Sequence, residues 1–365
     1  MKRVRMLAAM LSLLLLLSAC GGDPGETVLS LGSTTVSENV YHYWASTYKG
    51  EFLYRYEDVK NTKEYWESEL IDGMSAAEYF DAVILENVKY NLVCMDLFDD
   101  YGLTITASEK QSIRDRISDY VSEYADGNKN LLNMALSEYG VNMQMLERIY
   151  IDEAKTTKVY EAVFGKTGQT PLDDEMLEAF YQENYVRFQM IFINNMYQYS
   201  ADENGNPVLD DNGYYVTEPL DADVKAKREE SIRQVQKRLD AGETFDALYE
   251  EYAEIKDYPG GYYYSSTGAY NDRVYYDLAA AAGAIEVGEV TTVQGDYGTC
   301  IIQKLELPAF AWGEKENSDF FNGFRDTVGD VLFREFLEGY FDEIAVDDDA
   351  IAAFSIADVT PNYSF

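Results

Sequence analysis

Few side chains in this sequence can do nucleophilic or acid–base chemistry, and Cys300 is the first candidate among them. It lies in the segment YGTCIIQKL, residues 297–305, whose glycine turn and apolar run are typical of a short buried strand. Cys94 is the other cysteine beyond Cys20, and the two could form a disulfide or lie apart as small core residues. His42 is the only histidine, which excludes every histidine-based triad. Without a neighbouring base, a strand thiol in apolar surroundings keeps a raised pKa, so a nucleophilic role is disfavoured.

Metal chemistry has one candidate segment. Asp202, Asn204 and Asn206 have the spacing of the first ligands of a calcium-binding loop. Pro207 stands where that loop needs glycine, and Gly213 stands where it needs the closing glutamate. The sequence therefore predicts no calcium site, and with a single histidine it predicts no other metal site and no cofactor.

The first nineteen residues have the pattern of a secretory signal. MKRVR is basic, and the apolar stretch MLAAMLSLLLLL is shorter than the roughly 20 residues that span a bilayer. LSAC resembles the lipobox of bacterial lipoproteins, which implies a mature chain that starts at Cys20 with lipid on its sulfur and an amide-linked chain such as palmitate. The alternative is a plain signal peptide with an incidental cysteine. We expect cleavage after residues 1–19, a lipidated tether and start of the fold at 20–35, and a lipid-anchored location on the extracytoplasmic face of the cell membrane.

Composition narrows the class of protein. The formal net charge is −37, and removal of Lys2, Arg3 and Arg5 with the signal makes it −40. Such a charge repels nucleic acid and anionic lipid headgroups, so nucleic acid is excluded as a partner. The length of 365 residues and the 47% hydrophobic content predict two packed domains. The 32 tyrosines offer amphipathic surface for loose contacts with unfolded chains, or they reflect compositional drift in an ordinary core.

Residues 36–185 carry helical patterns and are predicted to form an N-terminal helical domain. Ser37 suits the N-cap of the first helix, and apolar residues recur three and four positions apart from Tyr79 to Phe98. Cys94 belongs to that apolar stripe. His42 is interpreted as an ordinary surface or packing residue of the first helix.

The pattern changes at Val186, where VRFQMIFIN predicts a strand. Two Asn-Gly pairs, at 204–205 and 212–213, then predict a β-hairpin insertion over about 195–221. Two helices, a glycine turn, a strand, a further helix and a final strand follow. We expect the strand at 186–193 and the strand at 299–305 to be neighbours in one sheet.

At this point the order of elements resembles a known family. The segments RLDAGETFDALYEEYA, GG and EVGEVTTVQGDYGTCIIQKLEL resemble a parvulin-type peptidyl-prolyl isomerase (rotamase) domain. With the lipobox and flanking helices, the chain resembles the PrsA foldase lipoproteins and, more distantly, SurA-like chaperones. The resemblance implies an α+β fold: a helical chaperone domain of the SurA or trigger-factor type, with an inserted parvulin-like α/β domain at 186–308 on a small, mainly antiparallel sheet. Residues 309–365 would form a C-terminal helix and tail that pack on the helical domain.

The resemblance also assigns site positions, and the chain departs from the family at most of them. Parvulins carry two histidines on adjacent central strands, and these positions fall on Gln189 and Cys300. Their acidic or thiol position falls at Ile255 or its neighbour Glu254. Val274 and Leu278 match the positions of the family's apolar proline pocket, with smaller side chains than usual. The family-equivalent positions are Gln189, Ile255, Val274, Leu278 and Cys300.

These observations predict a membrane-anchored foldase or chaperone for unfolded, newly exported polypeptides, with a weak or inactive parvulin-like domain. Loss of both imidazoles removes the polar network that the family uses to orient its substrate. The alternative is an active peptidyl-prolyl cis-trans isomerase that assists the folding of secreted proteins. A solute-binding lipoprotein is disfavoured because alternating βαβ runs for two α/β lobes are missing from the sequence. The expected partners are unfolded polypeptides and, through lipid on Cys20, the membrane, and a homodimer is left open.

Overall fold

The computed structural model describes most of the chain after residue 24, and at 273 and 274 it describes the backbone only. The predicted signal segment with Cys20, the Asn204–Gly205 turn, Asn212 and the side chain of Val274 lie outside the described residues. Within the described part, no helix is both long and apolar enough to cross a bilayer. The described residues are 25–71, 73–202, 206–210, 213–265, 273–295 and 298–365.

The chain divides into two compact units. A helical unit comprises Met1–Pro171 and Asp330–Phe365, and a sheet unit comprises Leu172–Gly329. The sheet unit is thus inserted, in sequence, into the helical unit. The domain boundaries predicted at 185/186 and 308/309 both fall within the sheet unit, so the strand-bearing domain proposed at 186–308 is shorter than this unit.

Helices account for most of the regular structure. They are α1 (Glu38–Arg55), α2 (Lys63–Trp66), α3 (Ala76–Asp100), α4 (Ala107–Tyr124), α5 (Lys129–Leu136), α6 (Met143–Val163), α7 (Asp174–Asn184), α8 (Ala222–Asp240), α9 (Phe245–Tyr252), α10 (Arg273–Gly283), α11 (Phe324–Glu338) and α12 (Asp348–Ile351).

The strands are short, and every pairing among the described residues is antiparallel. They are β1 (Thr27–Leu31), β2 (Thr34–Ser37), β3 (Glu69–Ile71), β4 (Met74–Ser75), β5 (Tyr185–Ile193), β6 (Tyr197–Tyr199), β7 (Thr217–Pro219), β8 (Tyr262–Ser265), β9 (Val290–Gly295), β10 (Gly298–Leu305) and β11 (Ala345–Val346). The α+β class predicted from the sequence is confirmed.

Capping motifs in the sequence mark where two long helices of the helical unit begin. Ser75 and Glu78 form a capping box before α3, and Thr106 and Glu109 form one before α4. In each box the hydroxyl accepts from a backbone N–H while the carboxylate accepts from the cap residue, so orphan donors of the first turn are satisfied. Ser37 holds the position before α1, as predicted, but its side chain makes no capping hydrogen bond.

Cys94 and His42 of the helical unit both pack against neighbouring side chains. Cys94 is fully buried on α3, and burial raises the pKa of its thiol to about 12. Cys94 and Cys300 are both free thiols, so the disulfide alternative is not formed. His42 stacks on Phe354 with the ring centroids 5.3 Å apart, as expected of a packing residue.

A small sheet and the C-terminal tail close the helical unit. The sequence analysis expected the tail to pack on this unit, but it did not predict the sheet. The sheet has the order β11-β1-β2, which joins the start of the fold to its end. On α1 the buried Lys49 ammonium donates to the carbonyls of Ala357 (3.0 Å) and Val359 (2.9 Å). A Cβ at Gly50 would lie 1.9 Å from the carbonyl oxygen of Asn362, so glycine permits the tail's close approach.

The sheet unit is built on four strands in the order β8-β5-β10-β9. The predicted pairing of the strands at 186–193 and 299–305 is confirmed, with Cys300 opposite Phe192 and Ile302 opposite Met190. Because successive side chains of a strand point to opposite faces, each strand contributes to two cores. Helix α10 packs on one face of the sheet, and α8 and α9 pack on the other.

The predicted hairpin insertion is a β-ribbon of β6 and β7. Tyr197 pairs with Pro219 and Tyr199 pairs with Thr217. Beyond these strands, isolated bridges join Ala201 to Pro207 and Leu209 to Tyr215.

Candidate functional site

Cys300 lies at the centre of the α10 face of the sheet. On β10 it stands opposite Phe192 of β5 and Val293 of β9. Its side chain is 8% exposed, and burial raises the pKa of the thiol to about 11. The thiol is therefore protonated at neutral pH, and it is a poor nucleophile and a poor base.

Apolar and aromatic side chains surround Cys300. Leu278 of α10, 6% exposed, packs in the same cluster, and its place in an apolar proline pocket stays a prediction. No imidazole, carboxylate or ammonium group belongs to this cluster among the residues that the structure describes. The buried members are Val186, Phe188, Met190, Tyr262, Leu278, Ala279, Ala282, Cys300 and Ile302.

Gln189 faces the other side of the sheet. It pairs with Gln303, which lies three residues after Cys300 on β10. Because successive side chains of a strand point to opposite faces, Gln303 and its partner Gln189 face away from Cys300. Its Nε2 donates to the carbonyls of Tyr258 and Pro259, each at 3.1 Å, and its Oε1 accepts from a backbone N–H. Gln189 is therefore a buried residue whose hydrogen bonds link β5 to the loop before β8, and it does not share a site with Cys300.

The β5 residues on the Cys300 face are Met190 and Phe192, and the sequence analysis did not select either. Met190 is 3% exposed and belongs to the cluster around Cys300. Alternation of apolar and polar residues along VRFQM was the signal that could have found it, because Val186, Phe188 and Met190 share one face. A one-residue shift in aligning a strand exchanges its two faces.

The segment after α9 holds the predicted acidic or thiol position. Ile255 is half-buried. The Glu254 carboxylate accepts a hydrogen bond from the backbone N–H of Asn194 (3.2 Å) and pairs with Arg228 of α8. These partners occupy the carboxylate, and α8 belongs to the face of the sheet opposite Cys300.

Stacked tyrosines extend the α10 face toward β8. The rings of Tyr264 and Tyr275 are 4.5 Å apart and nearly parallel, and Tyr262 stacks on Phe188 at 5.8 Å. Phe320 contacts Tyr258 with ring centroids 4.6 Å apart. Burial raises the pKa of Tyr262 and of Tyr264, so both hydroxyls stay neutral. This surface offers mainly aromatic and apolar packing, and at one end the Tyr258 hydroxyl donates to the Asp319 carboxylate at 3.5 Å.

A separate cavity lies toward the opposite face of the sheet unit. It has a volume of about 500 Å³, and Gln303, the strand partner of Gln189, lines it. Neither Cys300 nor Leu278 contributes to its lining. Its remaining lining residues are Leu239, Asp240, Glu243, Thr244, Phe245, Asp246, Gly288 and Val290.

The geometry limits what the Cys300 face can do chemically. General acid–base catalysis needs a group that exchanges a proton near the working pH, and a thiol with a pKa of about 11 does not. The cluster around Cys300 can exclude water and pack against an apolar group, which are functions of binding. Among the described residues, no group of three or more histidine, cysteine, aspartate or glutamate side chains could hold a metal ion.

Comparison with known proteins gives structural matches only. No family model and no curated protein matches the sequence. The chain is similar to the peptidylprolyl isomerase PrsA of Bacillus cereus at 15% identity and a TM-score of 0.31, over 91% of this chain and 98% of that one. It is similar to the foldase PrsA of Streptococcus pneumoniae str. Canada MDR_19A at 16% identity and a TM-score of 0.24, over 90% and 97% of the two chains.

A third match is a SurA-like chaperone of Campylobacter jejuni, at 11% identity and a TM-score of 0.24, over 89% of this chain and 100% of that one. These structural neighbours are PrsA foldases and a SurA-like chaperone, the two groups that the sequence resembles. At these identities and TM-scores, the likeness assigns neither an activity nor a partner to this chain.

Proposed function

We propose that this protein is an extracytoplasmic, membrane-anchored foldase or chaperone that binds unfolded exported polypeptides, and that its parvulin-like unit has weak or no isomerase activity. One observation carries the proposal: the sheet face that holds Cys300 is closed and apolar. The residues beside Cys300 on this face, Met190 and Leu278, are 3% and 6% exposed.

The physical argument concerns the barrier to rotation about a peptide bond. Rotation crosses about 18–20 kcal/mol without making or breaking a covalent bond. A catalyst must therefore stabilise the twisted amide more than the planar one, with groups placed to meet its changed charge distribution. The cluster around Cys300 offers a protonated thiol and hydrocarbon, so we expect little differential stabilisation.

Polypeptide binding needs accessible apolar surface, and the helical unit offers it. Ile71 and Met74 pair across the β3–β4 hairpin and are 49% and 37% exposed. The adjoining rings form a chain of contacts, with Tyr79 to Phe80 at 5.2 Å, Phe80 to Phe52 at 4.3 Å and Phe52 to Tyr56 at 5.1 Å. We call this surface the aromatic patch, defined by Phe52, Tyr56, Ile71, Met74, Tyr79 and Phe80.

Exposed apolar side chains that cluster on a surface are typical of an interaction site. Unfolded chains expose apolar side chains that the aromatic patch can cover without a defined sequence. Tyrosine and methionine suit such contacts, because one has a polar edge and the other is flexible.

Aggregation of a chemically denatured client after dilution tests this function. We expect the wild-type protein to suppress aggregation and the double variant Ile71→Ser/Met74→Ser to lose most of that suppression. The matched control is Leu131→Ser/Met134→Ser on α5, where the side chains are 45% and 67% exposed in the same unit. No suppression by the wild type, or equal loss in both double variants, would contradict the proposed role of the patch.

Anchoring is a separate part of the proposal. Cys20 follows the signal pattern and would carry the lipid, so Cys20→Ser should release the protein from the membrane fraction or leave the signal uncleaved. A soluble wild-type protein without lipid on Cys20 would overturn the anchor. A homodimer is an open part of the same proposal, and light scattering of the purified protein measures it.

A further inference from the structure

The β-ribbon of the sheet unit, residues 194–221, is held by local hydrogen bonds. At its base Asn194 Oδ1 accepts from the backbone N–H groups of Met196 (3.1 Å) and Tyr197 (3.2 Å). The N–H of Leu220 closes the base by donating to the carbonyl of Met196 at 3.0 Å. The ribbon therefore keeps its shape without burying its large side chains.

Two consecutive repeats fold the outer part of the ribbon, DENGNPVL and DDNGYYVT. The N–H of Asp202 donates to the carbonyl of Asn206 at 2.9 Å, and the N–H of Asp210 donates to the carbonyl of Tyr214 at 2.8 Å. Each aspartate also accepts the return N–H on Oδ1, at 2.9 Å in both repeats. Asp202 and Asp210 thus have the same structural role, which is to close a turn.

One face of the ribbon presents aromatic rings to solvent. Tyr199 and Tyr215 are 60% and 59% exposed, with ring centroids 5.0 Å apart. Tyr197 lies two residues before Tyr199 on β6, and Leu209 pairs with Tyr215. We call this surface the tyrosine face, defined by Tyr197, Tyr199, Leu209 and Tyr215.

The charge of the ribbon is entirely negative. No lysine, arginine or histidine occurs between residues 194 and 221. A cationic partner would therefore meet no repulsion from the ribbon's own side chains. The acidic residues in this range are Asp202, Glu203, Asp210, Asp211, Glu218 and Asp221.

We propose that the tyrosine face binds extended, arginine- or lysine-containing segments of polypeptide, a partner class that rests on the proposed client-binding function. Tyrosine rings attract guanidinium and ammonium groups through the ring quadrupole, and arginine also stacks on them. The surrounding carboxylates raise the local concentration of cationic segments and accelerate their encounter.

The geometry favours an extended partner over a folded one. Tyr197 and Tyr199 are alternate residues of a strand, which places their attachment points roughly 6.5–7 Å apart. Alternate side chains of an extended peptide have the same spacing, so two successive cations on one side of that peptide can each meet a ring.

Fluorescence anisotropy with two labelled peptides tests the proposal on the full-length protein. One peptide alternates arginine with serine, and the other alternates glutamate with serine. We expect the wild type to bind the arginine peptide with an affinity that falls as salt rises, and to bind the glutamate peptide far more weakly. Tyr199→Ser and Tyr215→Ser should each weaken arginine-peptide binding about twofold to fivefold.

The matched control is Tyr363→Ser, since Tyr363 is 61% exposed in the helical unit. The charge variant is Glu203→Gln/Asp211→Asn, which spares the turn-closing Asp202 and Asp210 and should reduce both affinity and its salt dependence. Equal binding of the two peptides, unchanged binding in both tyrosine variants, or an equal loss in Tyr363→Ser would overturn the proposal.

The same proteins distinguish this proposal from the client-binding function. If the tyrosine face selects cationic segments, Tyr199→Ser and Tyr215→Ser should still suppress aggregation of an acidic client as the wild type does. A wild type that suppresses no aggregation but binds the arginine peptide would refute the client-binding function and leave the tyrosine face in place. Suppression without any arginine-peptide binding would refute the tyrosine face alone.

Discussion

Cys300 and Gln189 lie on neighbouring central strands, yet they belong to opposite faces of the sheet. On the α10 face, the described neighbours of Cys300 are hydrocarbon and aromatic side chains, and burial raises the pKa of its thiol. On the α8 and α9 face, Gln189 uses its amide to hold the carbonyls of Tyr258 and Pro259. Two residues on neighbouring strands can thus lie on opposite faces of the sheet, even when one family resemblance assigns both to a single site. The thiol and the amide therefore form no catalytic pair.

The largest expected effect tests whether both faces are packed core. Ile301 and Ile302 are adjacent on β10, at 1% and 0% exposure, and face opposite sides. Ile301→Ala and Ile302→Ala should each lower the free energy of unfolding by about 2–5 kcal/mol, because each leaves a cavity. Urea denaturation measures both variants. A much smaller loss for Ile302→Ala would mean that the α10 face is a loosely packed pocket, contrary to the comparison.

An intermediate effect tests the structural role of Gln189. Gln189→Leu removes the donor to two carbonyls and should cost about 1–3 kcal/mol of unfolding free energy, since the carbonyls lose their partner. The control is Gln303→Leu on the same face, where Nε2 donates to the single carbonyl of Gly288 at 3.1 Å and the bond is exposed. Thermal and urea unfolding should rank the Gln189 variant as the less stable. The reverse order would show that the loop does not depend on these hydrogen bonds.

The smallest expected effect uses the buried thiol as a pH probe. Burial raises the pKa of Cys300 from its usual value near 9 to about 11, so the folded state holds its proton more tightly than the unfolded state. The stability from this group is complete below about pH 9 and is lost as pH rises toward about 11. The wild type should therefore lose more unfolding free energy than Cys300→Ala over this range, by an amount on the order of 1 kcal/mol.

Measuring both proteins side by side cancels the contributions that they share, such as that of the buried Cys94 thiol. Parallel curves for the wild type and Cys300→Ala would contradict a buried, protonated thiol. Rapid alkylation of Cys300 in the folded protein near neutral pH would contradict it as well.

Much of the sheet unit could be predicted because its signals are local. The apolar run from Val186 predicted β5, and the paired Asn-Gly turns predicted the ribbon. Which face of the sheet Gln189 occupies depends on how β5 is aligned with the family, and a resemblance fixes that alignment only to within one residue. The pairing of Met190 with Ile302 places Met190, and not Gln189, on the Cys300 face.

The rest of the helical unit depends on contacts between distant parts of the sequence. The pairing of β1 with β11 joins Leu29 to Val346, and neither segment carries a signal for the other. Lys49 reads as a surface lysine in α1, although the tail carbonyls that it binds lie more than three hundred residues later. Such partners become visible only when the chain is folded.

The central proposal is that the sheet unit has weak or no isomerase activity, because the face around Cys300 is packed with apolar side chains. The most direct measurement is the rate at which the purified protein accelerates cis-trans isomerisation of a proline-containing peptide, compared with a parvulin that carries both histidines. We predict a rate far below that of the two-histidine enzyme, and little further change in Cys300→Ala. A rate similar to that enzyme's, or a high rate that collapses in Cys300→Ala, would contradict the account.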